Sequence, residues 1–477
     1  MPGPIHLLPQ AGEVKKACVP PFTSPACGRG RRGTRQVRAV SGDGERHPIL
    51  LPFDGFTQSG QNPIMDRPDT ALAPAHAAIL DKLMDIVRAA GPLDAQTDKY
   101  FTNTSRIVAA HGDTEVTFAV FMRRRVVAAL EPAIRIARAL VPDVNIRRLV
   151  AEGEVVPSER KLMEITGSMK KLSEVETVLL QKIGFPCVCA NNAYEMCLAM
   201  PESGFMDMHA RHASGAEMNI LAAYGAMVGS NAAKRHNATA KGFIGSSQDL
   251  TAPFFGAGGG MGTMPHALVG YAGGDVLAAM KMFHDTIPEA KSLTALTDYT
   301  GHEVTDALRC ARWFYKEKKL DQVGKSFGVR LDTHGGRFAE GLDYEKSVDV
   351  VGHWLKVSGE YNIVEQVLGG RAFQLDPSNI LVDKVRRILF GKGVSVACAI
   401  HTRLALDNAG YTDAQIVGSS GFNPEKCQIM GAAKAPLDMV GTGSFLPATL
   451  TETYATADIV SYGGERRVKV GREFLFD

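Results

Sequence analysis

The strongest candidate for chemistry in this sequence is a histidine that directly follows a proline, His266 in the Gly-Thr-Met-Pro-His stretch at 262–266. A glycine-rich approach at 256–260 precedes it. Proline fixes its own φ and lacks a backbone donor, so His266 is predicted to leave a stiff turn. An imidazole there can carry a proton or a phosphoryl group near neutral pH. A histidine that only hydrogen-bonds within the core is the alternative.

A second candidate is a pair of opposite charges separated by one residue, Arg330 and Asp332. On a strand, both side chains point the same way. The guanidinium can clamp a carboxylate or phosphate, and the carboxylate can bind ribose hydroxyls, unless the two simply form a buried ion pair. Asp298 adds a carboxylate that suits an imidazole or a magnesium ion, or else caps a helix.

Two loops rich in glycine and hydroxyl groups, Ser419-Ser420-Gly421 and Gly441-Thr442-Gly443, are candidates for phosphate binding. Their backbone N–H groups and hydroxyls can converge with no bulky side chain in the way. Arg211 precedes a helix predicted from about Gly215 and could bind phosphate, although a solvated cluster at 207–212 is the plainer interpretation. Tyr100 could stack on a flat ring or lie in the core.

These residues are positioned by short apolar strands that alternate with helices from about residue 204 onward. The predicted strand ends lie at 243–247, 263–266, 295–298, 329–332, 416–421 and 439–443. Alternating strands and helices imply a parallel sheet, and reactive residues at each strand end imply an α/β barrel with its site on that rim. The fold class is therefore an irregular TIM-like α/β barrel with a second α/β domain.

The chain divides into four parts. Residues 1–64 are rich in Pro, Gly, Ser and Arg and predict a disordered tail or sequence translated upstream of the true start. Residues 65–200 form the N-terminal α/β domain, in which 114–123 alternates as a strand with one solvated face. The barrel spans 201–450, with 341–400 as an insertion. Residues 451–477 are expected to return to the N-terminal domain as a hairpin, with its second arm at 467–471.

Composition excludes several classes of protein. The net charge of +2 argues against nucleic acid or an anionic membrane as an obligatory partner. No apolar run approaches the roughly 20 residues of a membrane span. The eight cysteines form no CxxC pair, which predicts reduced thiols in a cytoplasmic protein without structural zinc. Cys187 and Cys189 are expected on a strand, facing opposite sides.

The order of these motifs resembles the nicotinate phosphoribosyltransferase family. It runs Thr-Asp-x-Tyr, Glu-Thr on a helix, an Arg before a helix, Gly-Ser-Ser, Gly-Thr-Met-Pro-His, Thr-Asp, Val-Arg-Leu-Asp, Ser-Ser-Gly and Val-Gly-Thr-Gly. The resemblance covers roughly residues 95–472. It implies the type II phosphoribosyltransferase fold, an irregular α/β barrel plus a domain built from both chain ends, and a homodimer with shared sites.

The resemblance also implies roles for the candidates at the pyridine ring and the sugar. His266 matches the histidine that ATP phosphorylates, and Thr263 the threonine beside the ring. Tyr100 matches the tyrosine that stacks on nicotinate from the partner subunit. Arg330 matches the arginine that faces the nicotinate carboxylate, and Asp332 the carboxylate near the ribose.

At the phosphates, Thr442 with Gly441 and Gly421 matches the cradle for the 5-phosphate, beside Ser420. Arg211 matches an arginine at the ring and the diphosphate. Ser247 stands where nicotinamide-using relatives carry an aspartate, and a neutral hydroxyl suits a carboxylate substrate better.

Two departures stand out. His212 follows Arg211 where the family often has a second arginine, and Thr-His-Gly-Gly follows Asp332 where many members have Ser-Gly-Asp. They leave the diphosphate contacts and the metal ligands unassigned.

The expected activity is the joining of nicotinate to 5-phosphoribosyl 1-diphosphate, with ATP as cosubstrate, Mg²⁺ as cofactor, and His266, Asp298 and Asp332 as catalytic residues. Nicotinamide as substrate and a non-catalytic nucleotide sensor are the alternatives. A decarboxylating enzyme specific for quinolinate is the less favoured alternative, because it would need more cationic side chains at the ring and no histidine that can be phosphorylated.

Overall fold

The computed structural model describes residues 72–262, 264–369 and 380–476. The expected tail at 1–64 and the candidate Thr263 lie outside the described residues. In the described ranges no helix is both long and apolar enough to cross a membrane.

The N-terminal domain is built on an antiparallel five-stranded sheet in the order β13-β12-β1-β5-β3. Its strands are β1 (Glu115–Met122), β3 (Asn145–Arg148), β5 (Lys161–Ser168), β12 (Ala455–Tyr462) and β13 (Glu465–Arg466). A separate two-stranded ladder joins β2 (Val126–Val127) to β4 (Val155–Val156). Strand β12 comes from the end of the chain and pairs with β1.

Two details of this sheet differ from the sequence-based expectation. Strand β1 is buried on both faces from Phe118 onward, because Phe121 packs with Val460 and Leu475 in a second apolar cluster. The closing hairpin has a short second arm, since β13 ends at Arg466 and residues 467–471 are outside any strand. The solvated face of β1 was predicted from alternation alone, and burial by the C-terminal segment overrides it.

Helices α1 (Pro74–Ala89), α2 (Leu93–Gln96), α3 (Lys99–His111), α4 (Glu131–Leu140) and α5 (Met169–Gln181) accompany this sheet. Helix α6 (Gly184–Ala199) carries Cys187 and Cys189, so the predicted strand there is wrong. The helix is buried around its whole circumference from Gly184 to Cys197 and lies against α7 (Ala216–His236). An apolar run of this kind does not distinguish a buried helix from a buried strand.

Glycines permit the close contact between α6 and α7. A Cβ placed on Gly229 would lie 2.0 Å from the carbonyl oxygen of Ala190, and one on Gly225 would lie 2.5 Å from that of Pro186. Either distance is too short for a carbon atom, so the two helix backbones can approach this closely only because both positions lack a side chain.

The second sheet has six parallel strands in the order β7-β6-β11-β10-β9-β8. They are β6 (Gly204–Asp207), β7 (Phe243–Ser246), β8 (Ser292–Leu296), β9 (Ser326–Leu331), β10 (Gln415–Gly418) and β11 (Met439–Thr442). The parallel α/β architecture with a second domain is confirmed. The barrel is irregular, because β7 and β8 end the sheet and do not pair with each other in the described part of the chain.

The sixth strand of this sheet is not the one predicted at 263–266. Residues 264–266 are not a strand, and His266 instead begins α8 (His266–Tyr271). The sixth strand is β6, which pairs with β7 on one side and β11 on the other.

The remaining helices are α9 (Val276–Thr286), α10 (Glu303–Arg312), α11 (Tyr344–Leu355), α12 (Glu360–Val367), α13 (Ile380–Phe390), α14 (Val396–Asn408) and α15 (Pro424–Ala432). Helices α11 to α14 lie in the long connection from β9 to β10, to which the segment 341–400 belongs. One apolar cluster runs continuously through both sheets and their helices.

Candidate active site

The carboxyl ends of the six parallel strands lie along one edge of the second sheet, where the candidate residues collect. Register sets the order: Arg330 on β9 is level with Leu296 on β8 and Val417 on β10. Across the sheet, Thr442 on β11 is level with Asp207 on β6. The residues that follow these strands therefore share one rim.

His266 and Asp298 form a hydrogen-bonded pair on this rim. The Nε2 atom of His266 lies 2.9 Å from Oδ1 and 3.1 Å from Oδ2 of Asp298. The imidazole is 44% exposed while the carboxylate is 9% exposed. Because Nε2 donates to the carboxylate, the exposed ring presents Nδ1 to a ligand, with the tautomer inferred from this geometry. A histidine confined to the core is excluded.

Asp298 is not a helix cap, since α10 begins at Glu303 with His302 as its N-cap. Its loop is held by Arg337, whose guanidinium donates to the Asp298 carbonyl at 2.9 Å and to the Glu303 carboxylate at 2.5 Å. Thr333 also donates to Glu303, at 2.8 Å. Hydrogen bonding to the buried Glu303 raises the pKa of Arg337. Sequence reasoning missed Arg337 and Glu303, for which no local pattern signals a role.

The side chains of Arg330 and Asp332 lie on this rim and pair with each other. The guanidinium donates to Asp332 Oδ2 at 2.9 Å and through Nε to Ser419 Oγ at 3.2 Å. Their side chains are 14% and 20% exposed, so both still reach the rim. The ion pair considered from the sequence is therefore present, and it is only partly buried.

The loop after β10 has an unusual backbone. Ser420 has φ +77° and Gly421 has φ +69°, so two successive residues lie in the left-handed region. Both are exposed. Successive N–H groups in such turns can form a concave anion site. This geometry fits the predicted phosphate loop.

The loop after β11 fits that prediction less well. Thr442 is 3% exposed, and its hydroxyl donates to the Phe422 carbonyl at 2.6 Å and accepts from Ser444 N at 2.9 Å. A Cβ on Gly441 would lie 2.6 Å from the Met208 side chain, and one on Gly443 would lie 2.9 Å from His209 Cα. Thr442 therefore ties two loops together, and the glycines make room for the chain after β6.

The segment that follows β6 carries a buried polar cluster that the sequence did not predict. The Nδ1 atom of His209 hydrogen-bonds Asp207, and Nε2 lies 3.1 Å from the Asn219 carbonyl oxygen. Ser246 donates to Asp207 at 3.2 Å. Both members of the pair are nearly inaccessible, so they are not part of a solvated surface cluster. Arg211 in the same segment is exposed.

A pocket of about 630 Å³ opens beside this cluster. Its lining includes Ser247, Gln248, Asn219, Gly260 and Gly262. Ser247 is exposed there, and its N–H donates to the Asp207 carbonyl at 2.8 Å. The pocket thus brings Ser247 together with the glycine-rich approach to His266. In the described part of the chain, no three His, Cys, Asp or Glu side chains come together as a metal site.

Tyr100 belongs to the N-terminal domain, in the first turn of α3. It is 63% exposed, so the alternative of a core tyrosine is excluded. Its hydroxyl donates to Asp98 Oδ2 at 3.3 Å, and its ring lies 4.3 Å from that of Phe101. Both partners belong to the N-terminal domain, and the exposed ring is free to contact a second molecule.

Glu176, near Tyr100, provides a test of this region's electrostatics. Burial, followed by the charges of Asp458 and Asp98, raises the pKa of Glu176 from 4.5 to about 8. The folded state therefore gains stability from the protonated acid below pH 4.5 and loses it as the pH rises to about 8. Glu176→Gln should be more stable than the wild type by about 1–2 kcal/mol at pH 8, after allowance for solvent screening.

The measurement is urea unfolding of both proteins at pH 5 and pH 8. The difference should be small at pH 5, where the folded wild type is already neutral at this position. Glu289→Gln, at an exposed site, is the control and should show no such pH dependence. A Glu176→Gln advantage of equal size at both pH values would contradict the assignment.

The comparisons with known proteins agree with this fold. Residues 98–187 match the N-terminal domain of the quinolinate phosphoribosyl transferase family. None of the curated protein sequences compared with the chain matches it. The fold is similar to that of nicotinate-nucleotide pyrophosphorylase from Pyrococcus furiosus, with a TM-score of 0.55 and 20% identity over 85% of this chain and 81% of that one.

Two further structures have TM-scores below 0.5, and no argument rests on them. NadC from Streptococcus pyogenes has a TM-score of 0.49 and 14% identity over 83% of this chain and 99% of that one. Human nicotinic acid phosphoribosyltransferase has a TM-score of 0.47 and 16% identity over 78% and 76%. At these identities the likeness shows the fold.

Proposed function

We propose that this chain, which has the type II phosphoribosyltransferase fold, transfers the phosphoribosyl group of 5-phosphoribosyl 1-diphosphate to nicotinate. The products are nicotinate mononucleotide and diphosphate. The observation that carries the proposal is the rim on which an exposed imidazole, held by Asp298, shares the strand ends with the Arg330–Asp332 pair. The imidazole accepts a phosphoryl group, and the ion pair binds a carboxylate and a sugar.

Arg330 is the proposed partner of the nicotinate carboxylate. A guanidinium matches a carboxylate in bidentate geometry, and its Nε is already oriented by Ser419. Ser247 supports the acid over the amide, since a neutral hydroxyl at the pocket does not repel a carboxylate as an aspartate would.

In the transfer itself, the bond from ribose C1 to the diphosphate breaks and the bond from the pyridine nitrogen to C1 forms. The nitrogen supplies the electron pair, so positioning of the ring contributes much of the catalysis. Asp332 lies where a carboxylate can hold the ribose hydroxyls. The departing diphosphate needs cations, which Arg211 and the Mg²⁺ carried by the sugar diphosphate substrate would supply.

ATP coupling is proposed through His266. Its Nδ1 attacks the terminal phosphorus of ATP, the bond to ADP breaks, and Asp298 stabilises the positive ring. Hydrolysis of the phosphohistidine then favours product formation. This histidine is the feature that distinguishes the proposal from a decarboxylating quinolinate enzyme.

A homodimer is proposed because Tyr100 is 63% exposed and makes its hydrogen bond and ring contact with Asp98 and Phe101, next to it in the chain. The tyrosine of one protomer would stack on the nicotinate bound by the other, since an aromatic face pairs favourably with a flat ring.

The decisive experiment is a product assay of the full chain with 5-phosphoribosyl 1-diphosphate, Mg²⁺ and one of three acceptors. We expect nicotinate to be converted with ADP formation when ATP is present, and nicotinamide and quinolinate to react poorly. Preference for nicotinamide would refute the role of Ser247. Carbon dioxide release from quinolinate would favour the alternative that the match at 98–187 supports.

Ligand binding without turnover would instead indicate a nucleotide sensor. Calorimetry with 5-phosphoribosyl 1-diphosphate, run beside the assay, separates these outcomes. The substitution of His212 for a second arginine is the feature that a sensor would explain.

A further inference from the structure

A lysine that follows the phosphate loop has contacts that the proposed reaction does not yet use. Lys426 lies in the first turn of α15, which begins three residues after Gly421. Its Nζ donates to the carbonyl oxygen of Ser420 at 2.9 Å and lies 4.2 Å from the centre of the Phe422 ring. Asn423 caps the helix by accepting from Lys426 N at 2.8 Å, which fixes where the side chain starts.

This contact explains how the loop keeps its conformation. A serine with φ +77° is in a region that costs about 1–2 kcal/mol, so its surroundings must hold it there. The hydrogen bond from Lys426 holds the Ser420 carbonyl on one side. In a trans peptide the following N–H points the opposite way. Anchoring the Ser420 oxygen therefore directs the Gly421 N–H away from Lys426.

The ammonium also has capacity for another acceptor. An ammonium has three N–H donors, and one hydrogen bond from Nζ is found among the described residues, to Ser420. The nearby charged and titratable groups are Asp332 on the β9 side and the buried thiols of Cys398 and Cys427. Asp332 is itself paired with Arg330. Lys426 is thus a cation that contacts the loop and lies within electrostatic reach of Asp332.

We infer that Lys426 is the cationic member of the phosphate loop, binding the 5-phosphate of the sugar directly while positioning the Ser420–Gly421 backbone. The inference rests on the proposed function, because it takes the sugar phosphate as the ligand of this rim. The chemistry it requires is a phosphate dianion that accepts from the Lys426 ammonium, whereas the Gly421 N–H points away from Lys426 and is not part of this contact.

A lysine that only held the loop in place would give a different pH dependence of phosphate binding. Burial lowers the pKa of Lys426 to about 8, against the opposing effect of Asp332. The side chain is charged below that pH and neutral above it, while a sugar monophosphate remains a dianion from pH 7 to pH 9 because its second pKa is about 6. Direct binding therefore weakens as the pH rises through about 8. Arginine stays charged throughout this range.

The test is titration calorimetry of the full chain with ribose 5-phosphate at pH 7, 8 and 9. We expect Lys426→Met to weaken binding about tenfold at pH 7. Lys426→Arg should retain binding and remove most of the weakening between pH 7 and pH 9. Lys434→Met, an exposed lysine just beyond the same helix, is the matched control and should bind as the wild type does.

The outcomes separate the two proposals. Unchanged binding by a folded Lys426→Met overturns the role of Lys426 and leaves the transferase proposal standing. Should that variant fail to fold, an identical loss of affinity with pH in the wild type and in Lys426→Arg overturns it instead. Absence of both ribose 5-phosphate binding and product formation in the wild type refutes the proposed function, and this inference with it.

Discussion

Replacing His266 by alanine should abolish ATP-coupled turnover and leave a weak, ATP-independent transfer. The variant lacks the nitrogen that accepts the phosphoryl group, so no ADP forms, but the groups that bind the sugar and the ring remain. We expect the rate with ATP to fall about 10²- to 10⁴-fold, the range found when a positioned imidazole is removed. The measurement is the ratio of ADP to nucleotide product, together with phosphate incorporation into the protein from ATP labelled at its terminal phosphate.

Two further variants define the result. Asp298→Asn keeps the imidazole but removes the charge that orients it through Nε2, so it should show an intermediate loss of phosphorylation. His353→Ala, an exposed histidine on α11, is the control and should behave as the wild type. If His266→Ala still consumed ATP at the wild-type ratio to product, the assignment of His266 would be wrong.

Replacing Arg330 by methionine should reduce kcat/KM for nicotinate about 10²- to 10³-fold. The guanidinium is proposed to bind the carboxylate in bidentate geometry, and its loss also leaves Asp332 without the partner 2.9 Å away. That loss corresponds to about 2.7–4 kcal/mol of transition-state binding. Steady-state kinetics with nicotinate and nicotinamide measure it, and activity with the amide should fall less because the amide carries no charge.

Arg330→Lys distinguishes charge from geometry. It keeps a cation near Asp332 but cannot present two parallel donors, so it should recover only part of the activity. Arg312→Met, at an exposed arginine on α10, is the control. Equal losses for nicotinate and nicotinamide in Arg330→Met would show that the arginine does not recognise the carboxylate.

Much of the rim could be predicted from sequence because it depends on local rules. Strands β8, β9, β10 and β11 were identified by apolar runs that end in small or polar residues, and parallel pairing then requires their ends to meet. The spacing of Arg330 and Asp332 placed both on one face of β9, where they do meet. Such inferences need only the two-residue period of a strand.

Predictions failed where neighbours distant in sequence decide the environment. Cys187 lies on helix α6, which is buried against α7. The apolar run around Cys187 would fit a buried strand equally well, so the sequence does not distinguish the two. The hydroxyl of Thr442 donates to the Phe422 carbonyl, twenty residues away, a partner that its own loop does not reveal, while the phosphate contact of this loop stays a prediction. His209 is buried against Asp207 and Asn219, although its polar segment predicted a solvated surface.

The sequence by itself determined which residues could do chemistry and that most of them stand at the ends of parallel strands. Only the tertiary structure decided their partners: Asp298 for His266 across 32 residues, Ser419 for Arg330 across 89, and the Ser420 carbonyl for Lys426. The reason is physical. Backbone period follows from each residue's local preferences, whereas a side chain's hydrogen bonds, burial and charge depend on segments that only the packed core brings together.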